Sequence, residues 1–376
     1  MRILQLSSAR AFGGGERHLA DLAHALAARG HEVYAALAHR SPLLERLTPL
    51  PRENILTLPL RNALDLKSAV ALARFIRERK VEIVHAHVAR DYTLAALAVR
   101  LAARRGDAPR LVLTRHVLFP LGRIHRLTFS HVARVIAVSE AVARALRERH
   151  IISEDRLRVV PNGVDITRFD RAHDDFKREA YRAQLGAEQG ALMVGTVGEI
   201  SPVKGQTDFV RAVAVVRARS ERPVEFLIVG EDASRDGRNR AALEKLITEL
   251  GLSSVVRLMG RRDDVPQILA SLDLFVSASQ SEAFGLALVE AMAAGVAVVA
   301  TDTEGAREII GADGTVGTLI PRGNPEALAA AMLSLLADEE LRASVAARAR
   351  ERARARWSLE RMVDETQRVY TEALDE

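Results

Sequence analysis

Residues 274–300 read LFVSASQSEAFGLALVEAMAAGVAVVA, and the order of apolar runs within this stretch decides the fold. Leu274–Ser277 and Ala297–Ala300 are short apolar runs of strand length. Between them a loop of small and polar residues leads into Gly285–Ala294, apolar at most positions and too long for a typical strand. Two apolar strands joined by a buried helix are the unit from which a parallel, doubly covered sheet is built.

The same alternation extends outward on both sides. Upstream, Leu192–Val197, Val224–Val229 and Val255–Met259 read as strands, with helices at Asp208–Ala218 and Arg240–Leu250. Downstream, a helix is expected over Pro325–Leu336, and the Ala/Arg tract 343–356 reads as a surface helix. A polar stretch, Asp170–Glu188, precedes this block. Before it the pattern runs through strands Arg2–Leu6, Glu32–Leu37, Ile83–His87, Leu111–Thr114, Arg134–Ala137 and Leu157–Val160. Helices are expected there over Glu16–Arg29, Asp65–Arg79, Tyr92–Ala103 and Glu140–Arg149. The chain of 376 residues is too long for one ordinary core. Two doubly wound α/β lobes are expected, 1–168 and 169–358, facing each other across a cleft. In such sheets ligands bind beyond the carboxyl ends of the strands.

Composition narrows the function classes. The chain is 48% hydrophobic and 27% charged, as a soluble globular protein is. It has no cysteine, which excludes disulfides and thiolate metal sites and fits a cytoplasmic location. The first residues lack the apolar run of a signal peptide, and no run approaches the ~18 apolar residues of a membrane span. Residues 1–170 hold 28 Lys+Arg against 16 Asp+Glu, a net of +12; the remainder, 26 against 33, has −7. A basic half beside an acidic half suggests an anionic partner, with an arginine-rich solvated surface as the alternative. Aromatic residues are only 4% and no nucleic-acid motif is present, so nucleic acid is not the expected partner.

Three loops carry the candidate chemistry. Gly13-Gly14-Gly15-Glu16 follows the first strand and opens a helix, where backbone can approach an anionic ligand. It is not a nicotinamide fingerprint. His18 stands where a third glycine belongs, and the second strand ends without an acidic residue. Gly198-Glu199-Ile200-Ser201-Pro202-Val203-Lys204-Gly205 places one of only five lysines just before a helix, within reach of phosphate oxygens. In 281–290, Glu282 lies in the loop and Phe284, Gly285 and Leu286 fall at the first helical turn, where free backbone N–H groups hold phosphate. Glu290 follows one to two turns in, placed to accept hydrogen bonds from sugar hydroxyls. The spacing alone decides nothing. With 29 glutamates, about two pairs eight apart arise by chance, and the chain has three: Glu45/Glu53, Glu140/Glu148 and Glu282/Glu290. Only the last straddles a loop and a helix start between two apolar strands.

Taken in order, the motifs Gly13–Arg17, Val84-His85-Ala86-His87, Val135–Ser139, Val160–Asp165, Lys204-Gly205 and Glu282–Gly295 resemble glycosyltransferase family 4, and the resemblance covers nearly the whole chain. It implies the GT-B fold, two Rossmann-like lobes, with a C-terminal helix after Trp357 (359–376) packing back on the first lobe. It implies a retaining glycosyltransferase that moves a sugar from a UDP- or GDP-sugar, with no metal required, in keeping with the absence of an Asp-x-Asp triplet. By position, Lys204, Glu282 and His116 would be the catalytic residues. Gly14, Gly15, Lys204, Phe284, Gly285, Leu286 and Glu290 would bind the donor. Glu16 and His87 would lie on the acceptor side, and His85 and His87 can equally be structural.

One position departs from the pattern: Glu199 stands where relatives usually carry arginine, which weakens a two-cation diphosphate site. The acceptor is expected to be a glycan or lipid-linked molecule of cell-envelope polysaccharide, lipopolysaccharide or glycolipid synthesis. Arg115–Arg134 interleaves Val117, Leu118, Phe119, Leu121, Ile124, Leu127 and Phe129 with Arg115, Arg123, Arg126 and Arg134, and suggests peripheral contact with an anionic membrane. The alternative is an ordinary helix of the lobe. Rival functions are a GT-B-like sugar-nucleotide epimerase and a non-catalytic sugar-nucleotide or anionic-surface binding protein.

Overall fold

The computed structural model describes residues 1–103, 108–122, 125–174, 177–234 and 236–376, with the side chains of Arg126, Leu127, His173 and Asp174 outside the description. Two sheets organise the chain. The first holds β1 (Arg2–Ser7), β2 (Glu32–Ala38), β3 (Ile55–Leu58), β4 (Ile83–Ala86), β5 (Arg110–Arg115), β6 (Arg134–Ala137) and β7 (Leu157–Val159) in the order β3-β2-β1-β4-β5-β6-β7. The second holds β8 (Leu192–Val197), β9 (Val224–Val229), β10 (Val256–Gly260), β11 (Leu274–Ser277), β12 (Ala297–Thr301) and β13 (Thr318–Ile320) in the order β10-β9-β8-β11-β12-β13. Every pairing is parallel. The central strands β1, β8 and β9 are mainly apolar and nearly fully buried on both faces, as expected where helices cover a parallel sheet from either side. In each sheet the strand order reverses beside the first strand, between β1 and β4 and between β8 and β11. Those two switch points set where ligands bind in doubly wound sheets.

The chain divides into two compact units, Met1–Gly163 with Leu359–Glu376, and Val164–Ser358. The exchange falls at Gly163 and Val164, ahead of the polar stretch 170–188. That stretch is itself structured. Ile166–Asp174 and Arg178–Gln184 are helices. Arg178 and Arg182 reach Asp273, at the entry to β11, at 2.9 and 2.6 Å, and Asp170 pairs with Arg350 at 2.9 Å. The charges that make the segment look like solvated connection are spent on docking it to its own lobe. The Ala/Arg tract behaves similarly. Helix Glu339–Arg356 buries Val345, Ala346, Ala349 and Ala353 and packs against helix Leu286–Ala293, so alanine supplies a flat contact face between the arginines.

The final helix, Leu359–Leu374, belongs to the first unit. It packs on the helix Gly14–Ala28 and on β5. Its Tyr370 is fully buried and its hydroxyl meets both His85 Nδ1 (2.7 Å) and Gln5 Nε2 (3.3 Å). Glu372 pairs with Arg134 and Arg158. No described helix is long and apolar enough to cross a membrane.

The amphipathic reading of 115–134 is corrected in part. Arg115 is buried and its guanidinium donates to the Phe119 carbonyl, while Arg134 is buried against Glu372 and Glu376. Leu121 and Phe129 are core residues. Arg123 and Ile124 lie outside the described residues, as do the side chains of Arg126 and Leu127. Among the large apolar side chains described in this stretch, Phe119, 71% exposed, and Val117, 40% exposed, face solvent.

Candidate functional site

In the second lobe, the loops after β8 and β11 meet at the switch point. Gly205 adopts φ +67°, and a β-carbon there would sit 2.0 Å from the Ala278 carbonyl oxygen. Only glycine lets the two loops approach so closely. The approach brings Lys204 over the β11 loop, where its Nζ lies 2.7 Å from Glu282 Oε2, with Ser279 Oγ donating to the same carboxylate at 3.3 Å. Thr196, Lys204, Gln206, Ser279, Glu282 and Gly285 line one depression at this point.

Gly285, at φ +112°, caps the helix Leu286–Ala293. Phe284 is buried, and Gly305 approaches so closely that a β-carbon there would lie 2.3 Å from the Phe284 carbonyl. The amide of Gly305 also donates to the Glu282 carbonyl at 3.0 Å. The helix start is thereby fixed from behind while its N-terminus is oriented for an anion. Glu290 is buried, in the second turn of that helix. Glu199 is exposed; its carbonyl accepts a hydrogen bond from Gln206 at 2.8 Å.

The first lobe gathers its candidates at its own switch point. Gly14 and Gly15 open the helix Gly14–Ala28, and a β-carbon on Gly15 would lie 3.5 Å from the His116 ring. Glu16 turns back on the loop: its Oε2 accepts from the Gly13 amide at 2.9 Å, so the carboxylate closes the helix N-terminus. His87 is buried, with Nε2 2.7 Å from Gln5 Oε1 and Nδ1 3.4 Å from His116 Nε2. His85 lies deeper, between Tyr370 and Thr114 (2.6 Å to Oγ1). Burial holds these imidazoles neutral. His18 is pulled down to about 4 by desolvation, and His85, His87 and His116 fall well below the ordinary histidine range for the same reason, helped by their mutual repulsion.

The structure thus assembles Lys204, Glu282, Gly285 and the helix carrying Leu286 and Glu290 at one switch point, and Gly14, Gly15, His87 and His116 at the other. Thr196, Gln206 and Ser279 join the first group without a sequence signal, being ordinary polar residues at strand and loop ends. His18 joins the second; its spacing marks it only as a residue in place of a glycine.

Comparison with known proteins agrees across the chain. The profile of glycosyl transferases group 1 matches residues 177–352, and that of Glycosyltransferase Family 4 matches residues 12–168. A phosphatidyl-myo-inositol mannosyltransferase of Mycolicibacterium smegmatis is 31% identical, over 92% of this chain and 87% of that protein. A glycosyltransferase from Rickettsia africae superposes with a TM-score of 0.85 at 25% identity, covering 99% of this chain and 98% of that one. Anabaena HepE, crystallised with UDP and glucose, gives 0.83 at 25% identity, covering 99% of both chains. With two parallel Rossmann-like sheets and relatives that transfer sugars, this chain belongs to glycosyltransferase family 4 and is a GT-B glycosyltransferase.

Proposed function

We propose that the enzyme transfers a hexose, with retention of anomeric configuration, from a UDP- or GDP-sugar to a glycan or lipid-linked acceptor of the cell envelope. The observation that carries this reading is the pairing of Lys204 with Glu282 beside the N-terminus of the Leu286–Ala293 helix, at the switch point of the second sheet. Lys204 and the amides of Phe284 to Leu286 take the diphosphate and stabilise the charge that builds on it as the glycosidic bond breaks. Glu282 contacts the transferred sugar and Glu290 the ribose hydroxyls. With an ammonium and a helix N-terminus in these roles, the diphosphate needs no bound metal. Departure of the diphosphate and attack of the acceptor take place on the same face, through an oxocarbenium-like state. Gly14 and Gly15 shape the loop on the acceptor side, His116 lines the sugar pocket, and Glu16 and His87 support that side.

The UDP-glucose bound by HepE and the phosphatidyl-myo-inositol in the mycobacterial relative's name make a nucleotide sugar and a lipid-linked acceptor the first choices. The exposed Phe119 and Val117, on a lobe of net positive charge, support peripheral contact with the cytoplasmic face of an anionic membrane. Incubation with a panel of nucleotide sugars and acceptors, followed by proton NMR of the product, tests the proposal. A new glycoside with the donor's anomeric configuration is expected. Free sugar without glycoside would indicate the epimerase reading, and inversion would overturn retention.

A further inference from the structure

Three histidines from separate elements converge in the first lobe: His18 on the Gly14–Ala28 helix, His87 after β4 and His116 after β5. One ring nitrogen from each lies within 4.8 Å of the other two. His18 is 3% exposed, and neither ring nitrogen meets full hydrogen-bond geometry; Asn162 is its polar neighbour, and that weak contact nudges the ring toward protonation against the larger effect of burial. Two nitrogens so weakly satisfied on a buried ring are exceptional, since buried polar groups are nearly always paired. His87 is oriented from behind: with Nε2–H donating to Gln5 Oε1 at 2.7 Å, its Nδ1 lone pair faces the cluster. A hydrogen bond on the outer nitrogen is how metal-ligating histidines are usually held.

The nearest pair of nitrogens is already spaced for a tetrahedral ion, and the third lies within 4.8 Å of both. With metal–nitrogen bonds of about 2.0–2.1 Å, neighbouring ligand nitrogens lie about 3.3 Å apart and the imidazole centroids about 5 Å apart. Here His87 Nδ1 and His116 Nε2 are 3.4 Å apart, and the ring centroids are separated by 4.8 Å (His18 to His116), 5.7 Å (His18 to His87) and 5.7 Å (His87 to His116). The donor set is three neutral imidazoles, which suits zinc and its first-row neighbours rather than magnesium or calcium.

We propose that His18, His87 and His116 form a three-histidine site for a zinc-class divalent ion. His18 and His87 are buried and His116 is only partly so, and the fourth position is therefore placed on the His116 side, for water or another oxygen ligand. The site shares His87 and His116 with the sugar side of the proposed function, and the open fourth position is where a hydroxyl would reach the ion. It ties the Gly13–Gly15 loop, through the first helix, to the ends of β4 and β5.

The test uses tag-free full-length protein stripped with a chelator and titrated with Co2+ and then Zn2+, with no nucleotide sugar present. The wild type should take up one Co2+ per chain and show the intense visible bands of tetrahedral cobalt, which Zn2+ abolishes. His18→Gln, which keeps volume and removes the ligand, should weaken uptake by about 100-fold while thermal unfolding confirms that it is folded. If that variant does not fold, X-ray absorption of the zinc-loaded wild type decides, and three imidazoles should be counted. No stoichiometric uptake, octahedral cobalt bands, equal binding by a folded His18→Gln or fewer than three imidazoles would overturn the proposal. None of these results depends on whether the enzyme transfers sugar.

Discussion

Lys204 and Glu282 are 78 positions apart in sequence, and their charged groups meet at 2.7 Å. A diphosphate arriving at Lys204 has to compete with a carboxylate already there. The pair is about a quarter and a fifth exposed (28% and 18%), so its worth is on the order of 1 kcal/mol. Glu282→Gln is therefore expected to bind UDP up to about fivefold more tightly, because the ammonium is released, while sugar transfer falls. Calorimetry with UDP checks this; weaker UDP binding in a folded variant would mean that Glu282 positions Lys204 rather than restraining it.

Lys204→Ala should lower turnover by ~100-fold or more, since charge on the leaving diphosphate grows from the bound donor to the transition state. Glu199→Ala should be far milder, because that side chain is exposed and only its carbonyl anchors Gln206. Steady-state rates for the two variants decide the matter. A larger loss from Glu199→Ala would reassign the loop.

Glu290→Gln should weaken donor binding by about 1.5–3 kcal/mol, the usual cost of losing a charge-assisted hydrogen-bond acceptor. Donor affinity is read by calorimetry. Unchanged affinity would remove Glu290 from the nucleotide site and leave it a buried structural residue.

Gly205→Ala should cost about 3 kcal/mol or more of stability, combining left-handed backbone with a clash against the Ala278 carbonyl. Gly237→Ala, at φ +72° with open space around it, should cost only about 1 kcal/mol. Thermal unfolding of the pair separates the two contributions. Similar losses would show that close packing at Gly205 is unimportant.

Binding to vesicles of anionic lipid should exceed binding to neutral vesicles at low salt and fall at 1 M salt, where screening shortens to about 3 Å. Phe119→Ser should reduce what remains. Sedimentation measures both. Equal binding to the two lipids, or none, would favour a soluble acceptor.

The sheet frame was legible because parallel strands buried on both faces are written as mainly apolar runs; β1, β4, β8 and β9 stand out for that reason, each with one or two buried polar residues. The strands that escaped notice, β3 and β13, are four and three residues long and only partly buried. Asp170–Glu188 shows in sequence only as a polar stretch, because the role of its arginines depends on Asp273, far along the chain. At the site, Glu282 and Glu290 could be selected from strand–loop–helix context, whereas the Lys204–Glu282 pairing depends on how two loops meet. His18 carries no local signal; its neighbours arrive from β4 and β5.

The burial of Tyr370 against Gln5 and His85 has a consequence for biosynthesis. The contact between Gln5 and Tyr370 spans 365 positions, so the lobe translated first lacks its Leu359–Leu374 helix until all of the second unit has been made. Val164–Ser358 is contiguous and can close as soon as it emerges. The order of completion is thus the reverse of the order of synthesis, and the nascent β1–β4 surface is the stretch a chaperone would have to shield while it waits.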